Sequence, residues 1–342
     1  MALPIFRPTL KRRDMGSVLS CIVSDKLGPG DLVRDLVGRV CQALGAGGGV
    51  TVSSPYAGLS LALEALGLAP GDGVVLSALA PAVHLRAIRD RGLVPLLADV
   101  DPESGCIDPA SAGALAANGA KALVAHHALG FVADVEALRG NGLPVVEEAS
   151  QAFGARFAGG APCGGSGDLS LLSLEPEGIV TCGGGALVLA RTRPAAAGLR
   201  RSSEASPVYA PLPDLNAALG ISQVAALERF LAVRREIGAA YAQALLKSRH
   251  RPLVQKGEAE PVPFSFPVLL ADGMKDVRAF ALKKGIETLP AFGECAAAVD
   301  GAAADSCPHA RSLVLRCLLF PLYPMLARRD VETIAKVLAA LP

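Results

Sequence analysis

VVEEASQAFGARFAGGAPCGGSGDLSLLSLEPEGIVTCGGGALVL, residues 145–189, is the stretch whose reading decides the fold. It begins as an apolar strand that ends in two carboxylates, Glu147 and Glu148. A loop of small residues leads into a second apolar run at 169–174, and a polar hairpin leads into a third at 186–189. Apolar strands ending in acidic or hydroxyl residues, joined by glycine-rich connections, build a ligand crevice at the carboxyl edge of an open α/β sheet. The crevice is therefore expected beside Glu148, Gln151, Ser173 and the turn at 175–181, which carries Glu175, Glu177 and Gly178. A buried strand-end acid such as Glu148 needs a partner, whereas Glu175 and Glu177 read most simply as a solvated turn.

Working outward, short apolar runs at 50–53, 74–76, 94–100 and 121–127 alternate with helical stretches at 58–66 and 82–91. That alternation predicts an α/β fold with a parallel or mostly parallel sheet and helices on both faces. Upstream, an arm leads to a helix over 31–44, entered through the turn at 27–31 with Asp31 as N-cap and with Leu32, Leu36, Val40 and Leu44 on one face. At 54–59, Pro55 removes a backbone donor and Tyr56 adds a bulky ring, so the junction reads as an ordinary proline-started helix. His84 falls on a helix as a surface or packing residue, while His126 and His127 end a strand at the ligand edge. Downstream, a long helix over 214–247 carries Arg234-Arg235-Glu236 as a solvated charge run. Two β-like runs (264–270, 315–319) and helices at 274–284 and 328–341 then predict a small α+β domain. The expected division is 1–245 and 246–342.

The 342 residues carry a formal net charge of +1, with 51% hydrophobic and 19% charged residues. That balance makes no electrostatic case for nucleic acid or an anionic membrane, and no run is long enough for a spanning helix. The eight cysteines form no C-x-x-C pair, and with no signal-peptide pattern at the start they read as inert thiols of a cytoplasmic protein. No metal site is expected.

In its motifs the chain resembles the DegT/StrS sugar aminotransferases of the fold-type I pyridoxal-phosphate (PLP) superfamily. Their Glu-Asp-Ala-Ala-Gln, Gly-Asp and Ser-Phe-His-Pro-x-Lys-x-Ile-Thr-x-Gly-Glu-Gly-Gly stretches align without a gap on residues 147–151, 167–168 and 173–186. The resemblance implies a PLP-transferase large domain, a homodimer and a nucleotide-linked sugar as ligand. It also implies roles at particular positions, and here the sequence departs. The Schiff-base lysine position is Gly178. The phosphate turn is altered at Pro55 and Tyr56, the stacking aromatic is replaced at Pro81, and a partner-subunit Asn is missing near Tyr209. Glu148, Gln151 and Ser173 survive, with Glu148 one methylene longer than the usual Asp. The resulting expectation is a catalytically retired relative, a binding, regulatory or scaffold protein with no cofactor and no catalytic residue. The alternative is an enzyme that holds PLP or its amino form (PMP) non-covalently, or that uses Glu148, Glu175 and Glu177 for acid–base work.

Overall fold

The computed structural model describes residues 2–301 and 304–342. Helices α1 (Arg12–Val23) and α2 (Asp31–Leu44) lead in. They are followed by β1 (Gly48–Val52), α3 (Pro55–Ala65), β2 (Gly73–Ser77), α4 (Ala82–Asp90), β3 (Val94–Ala98), α5 (Pro109–Ala117), β4 (Ala122–His126), α6 (Val135–Arg139) and β5 (Val145–Glu148). The hairpin β6 (Leu169–Ser173) and β7 (Ala186–Ala190) comes next, then α7 (Arg193–Glu204), α8 (Asp214–Val224) and α9 (Leu227–Leu245). The remainder comprises β8 (Arg251–Pro252), β9 (Phe266–Leu269), α10 (Met274–Lys283), β10 (Leu289–Pro290), α11 (Ala296–Val299), α12 (Pro308–Arg316), β11 (Cys317–Phe320) and α13 (Arg328–Ala339).

Seven strands form one sheet in the order β1-β7-β6-β5-β4-β2-β3, with β7 antiparallel to both neighbours and the other strands parallel. This is the mostly parallel α/β sheet that the sequence predicts. Its inner strands, such as ALVAH in β4 and ALVLA in β7, are buried along their whole length, as a sheet covered on both faces requires. Pro95 is confined to β3 at the sheet edge, where a missing N–H breaks no inner ladder. A second, antiparallel sheet runs β10-β11-β9-β8.

Helix α9 joins two apolar cores. Leu227 and Leu231 pack into the core of the large sheet, whereas Ile237, Tyr241 and Leu245 pack with Phe266, Phe320 and Ile334. Arg234 lies between them, only 3% exposed. It donates from Nη1 to the carbonyls of Pro263 (3.1 Å), Phe264 (2.8 Å) and Leu322 (3.0 Å). The expected solvated charge run is thus corrected at Arg234. The surrounding carbonyls need a donor, and burial pulls the guanidinium down to about 10.

The single helix expected over 214–247 is two helices, broken at Ala225 and Ala226. No proline or glycine marks the break. Its cause is tertiary, since α8 packs on α1 and α2 while α9 packs on α13. The arm before α2 is itself partly helical, as α1. The cap of α2 is also remote: Gly30 is the N-cap, and the Asp214 carboxylate of α8 accepts from Gly30 N (2.9 Å) and Val33 N (2.8 Å).

Candidate functional site

The chain leaves β2 for β3 on one side and leaves β4 for β5 on the other, so the sheet has its topological switch between β2 and β4. A crevice opens at the carboxyl ends of strands at such a point. A cavity of about 480 Å³ lies there, with Leu79 and Pro81 from beyond β2, His126 and Leu129 from the end of β4, and Gln151 from beyond β5 in its wall. Residues 289–295, which begin with β10 of the second sheet and include Phe292, close the other side. Backbone bonds from Ala82 N to Glu294 O (2.9 Å) and from Ala296 N to Ala80 O (2.8 Å) hold the two walls together.

Parallel pairing sets His126 beside Glu148. Because successive side chains on a strand point to opposite faces, the two histidines and two glutamates sort into two pairs. On one face His126 Nδ1 lies 2.5 Å from Glu148 Oε2. The other Glu148 oxygen accepts from the Ser150 hydroxyl and from Ser150 N at 3.2 Å, and His84 Nε2 stands 4.0 Å away. Burial alone would raise this carboxyl. The His126 hydrogen bond, the charges of His126 and His84 and the Ser150 bond outweigh it and hold the group at about 2. His84 itself is pushed down to about 4, first by burial, so it is neutral at pH 7. It is a packing histidine, and its Nδ1 has no hydrogen-bond partner among the described residues.

On the other face His127 Nε2 donates to Glu147 Oε1 (3.0 Å), and its Nδ1 accepts from Ala133 N (2.9 Å). Glu147 also accepts from the backbone N–H groups of Gly164 (2.5 Å), Ser166 (2.8 Å) and Gly167 (2.8 Å). Burial would raise its carboxyl, but His127 and these amides keep it below the ordinary value. His127, Glu147 and Cys163 are close enough to suggest a metal centre. Both ring nitrogens of His127 are already engaged and the carboxylate has four donors, so the cluster has no free lone pairs aimed at a common point. It pins the 164–167 loop under β5.

The sequence-predicted residues divide accordingly. Pro81 and Gln151 line the cavity, and Glu148 sits behind His126. Ser173 reaches Glu148 only through Ser150, whose hydroxyl accepts from Ser173 N at 2.8 Å. Pro55 is the first residue of α3, capped by Ser54 Oγ accepting from Ala57 N at 3.2 Å. The Tyr56 hydroxyl is spent on Asp90 (2.9 Å), so neither residue is in the cavity wall. Glu175 and Gly178 lie in the β6–β7 hairpin, which folds on itself: Thr181 Oγ1 and Cys182 N both donate to Leu174 O, at 2.9 and 3.0 Å. A Cβ on Gly178 would fall 2.6 Å from Val180 O and 3.1 Å from Glu175 O. Sequence reasoning places His126 at a strand end on the ligand edge and singles out neither Ser150 nor Phe292. The usable signal was the pair of histidines at one strand end, opposite a pair of glutamates at the next. All eight cysteines are free and only Cys41 is not fully buried. Cys295 is in the cavity wall, where burial raises its thiol and keeps it a poor nucleophile.

A family model for the DegT/DnrJ/EryC1/StrS aminotransferases matches residues 8–339. L-glutamine:scyllo-inosose aminotransferase from Streptomyces griseus is 39% identical over 144 residues, 41% of this chain. The match spans only 34% of that enzyme's length. The crystal structure of the aminotransferase TlmJ from Streptoalloteichus hindustanus has a TM-score of 0.92 at 26% identity, covering 99% of this chain and 98% of that one. Spr1654 from Streptococcus pneumoniae, described as a sugar aminotransferase, has a TM-score of 0.91 at 18% identity in both its PLP and PMP forms. Alignment to it covers 99% of this chain and 98% or 97% of the other.

These findings overturn the expectation that no cofactor goes with this chain. The family is one of PLP-dependent aminotransferases, and a structural neighbour has been solved with PLP and with PMP. The residues here fit that group poorly at two points. Gly178 offers no amine for covalent attachment, and both Glu148 oxygens are taken by protein donors.

Proposed function

Because this chain belongs to the DegT/DnrJ/EryC1/StrS aminotransferase family, we propose that it serves as a carbohydrate-binding member whose own residues form no Schiff base. The observation that carries this reading is Gly178, which has no amine and occupies a hairpin whose backbone crowds any side chain there. No lysine lines the switch-point cavity among the described residues. Lys121 precedes β4, at the opposite end of the strand from the crevice, and Lys256 is paired with Asp101 and Glu103. Any PLP or PMP taken up is therefore held without a covalent bond to this chain, and the chain's part is to bind and orient a sugar-like ligand.

We read the working form as a cytoplasmic homodimer. Helix α1 leaves Met15, Leu19, Ile22 and Val23 exposed. A groove of about 1100 Å³ runs between α2, β1 and residues 200–211 with Val33 and Val37 in its wall. Light scattering on the purified chain tests the assembly.

The chemical reading is tested by adding equimolar PLP, reducing with borohydride and mapping any modified lysine by mass spectrometry. Amino transfer from L-glutamine to scyllo-inosose is assayed in parallel. The expected result is no crevice lysine modified and no transfer above that of a Glu148→Ala variant. A single stoichiometric lysyl adduct, or turnover that Glu148→Ala abolishes, overturns the reading.

A further inference from the structure

Residues 2–9, ahead of α1, cross the seam between the two sheets and pack on both cores. We propose that this arm is a strap governing entry to the switch-point cavity: it holds the outer wall shut while Leu3 is seated and lets the wall swing out when Leu3 lifts. The device works the same way whichever ligand the cavity takes.

The first support is where the arm is tied. At one end the carbonyl of Thr9 accepts from Nε2 of the buried Gln223 of α8, at 3.0 Å. Ile5 and Phe6 pack against the core of the large sheet, with the Phe6 ring 5.6 Å from that of Phe264. At the other end Leu3 packs against the core of the second sheet and forms a parallel bridge with Ile286. Its N–H donates to Gly285 O (2.8 Å), and its carbonyl accepts from Glu287 N (3.0 Å). One short segment thus joins α8 to the turn that follows α10.

The second support is what Leu3 grips. The turn at 285–287 runs into β10, which is two residues long and lies at the edge of its sheet. With β10 begins the outer wall of the cavity, 289–295. At the far end of that wall the chain is clasped onto the large sheet by main-chain bonds alone: Ala82 N to Glu294 O, Ala296 N to Ala80 O, and Ala297 N to Ala78 O at 2.8 Å. All eight cysteines are free, so no disulfide fixes the wall. It is held at its two ends, by arm and by clasp, with the buried Phe292 between them.

The third support is that the two ends of the arm are unequally fixed. Thr9 and Gln223 are buried, whereas Leu3 is only half-buried, pairs through a single isolated bridge and is followed by the exposed Pro4. Stretches with few buried contacts and few backbone bonds open at lower free energy than the core, so the Leu3 end is the one that releases and Thr9 is the pivot. Pro4 and Pro8 each fix a φ angle within the arm, which stiffens it as it lifts. Closed cavities admit ligands by opening of this kind.

The test is iodoacetamide labelling of the full chain, with peptide mapping to read the rate at Cys295, the one cysteine among the residues lining the cavity. Amide hydrogen exchange is followed in parallel at Ala82 and Ala296, the clasp donors. Leu3→Asp sets a carboxylate against the apolar core on which Leu3 packs and so unseats the arm without altering the wall. The expected result in Leu3→Asp is labelling of Cys295 and exchange at Ala82 and Ala296 at least tenfold faster, with exchange in β4 unchanged. In the wild-type protein the amides of Leu3, Glu287, Ala82 and Ala296 should open as one unit, at a lower free energy than those of β4. Faster exchange at Glu287 with Cys295, Ala82 and Ala296 unmoved overturns the strap, as does acceleration shared equally by β4. Clasp amides that open only with β4 in the wild-type protein overturn it too, and that comparison decides alone if Leu3→Asp does not fold or leaves Glu287 unchanged.

Discussion

At Gly178 the obstacle to amine chemistry is space as well as composition. Placing a lysine there puts a Cβ 2.6 Å from Val180 O, inside contact distance of a backbone atom in a hairpin that the Thr181 and Cys182 bonds to Leu174 hold in place. Gly178→Lys should therefore lose about 1–3 kcal/mol of stability, as overpacked sites do. Denaturant unfolding of the variant beside the parent checks this. His84 carries a pH signature. Its ring titrates near 6.5 when exposed and near 4 in the fold, so between those values the unfolded chain binds a proton that the folded chain refuses. Stability should fall as pH drops from about 6.5 to about 4, by about 3 kcal/mol for that full interval. Thermal midpoints measured across that range should show a shallower decline for His84→Leu. Glu148 acts in a lower window. Its folded value is depressed from 4.5 to about 2, so its contribution is present above 4.5 and fades as pH falls toward 2.

Among elements, the strand pair β4–β5 shows how two adjacent acids tolerate burial. Alternation sends them to opposite faces, and each meets a histidine delivered by the neighbouring strand. Glu147 carries the structural half of that arrangement. Glu147→Ala strands the N–H groups of Gly164, Ser166 and Gly167 together with His127, and should cost about 3 kcal/mol or more, since each buried donor left unpaired costs about 1–3 kcal/mol. Chemical denaturation reads the loss, and hydrogen exchange should speed first at 164–167. The remote cap of α2 gives a second element-level expectation. Asp214→Ala should cost about 1–2 kcal/mol, the usual price of an N-cap, with faster exchange at Val33.

In the molecule as a whole, α9 makes one body of two cores and Arg234 is the rivet. Its three carbonyl acceptors come from the segment entering β9 and from the loop after β11. Arg234→Met fills the volume but leaves those carbonyls unpaired, so it should destabilise the chain by about 3 kcal/mol or more and uncouple the two cores. Calorimetry should then show a broadened or two-step transition where the parent shows one. The cavity at the switch point depends on the same coupling, because more than half of its lining residues come from 289–295.

Short apolar runs alternating with helical stretches, local properties, made the mostly parallel sheet readable from the chain alone. So were the acids at the end of β5 and the glycine at position 178, because the motifs around them keep their spacing. What those residues do was decided in three dimensions. Whether Glu148 stands free or is held by His126, 22 residues earlier, depends on strand order and register, and no local pattern encodes either. The same holds for Asp214 capping a helix 181 residues away and for Arg234 turning inward to carbonyls 29 to 88 residues distant. Propensity acts between near neighbours along the chain, whereas desolvation and hydrogen-bond satisfaction act between whatever groups packing brings together.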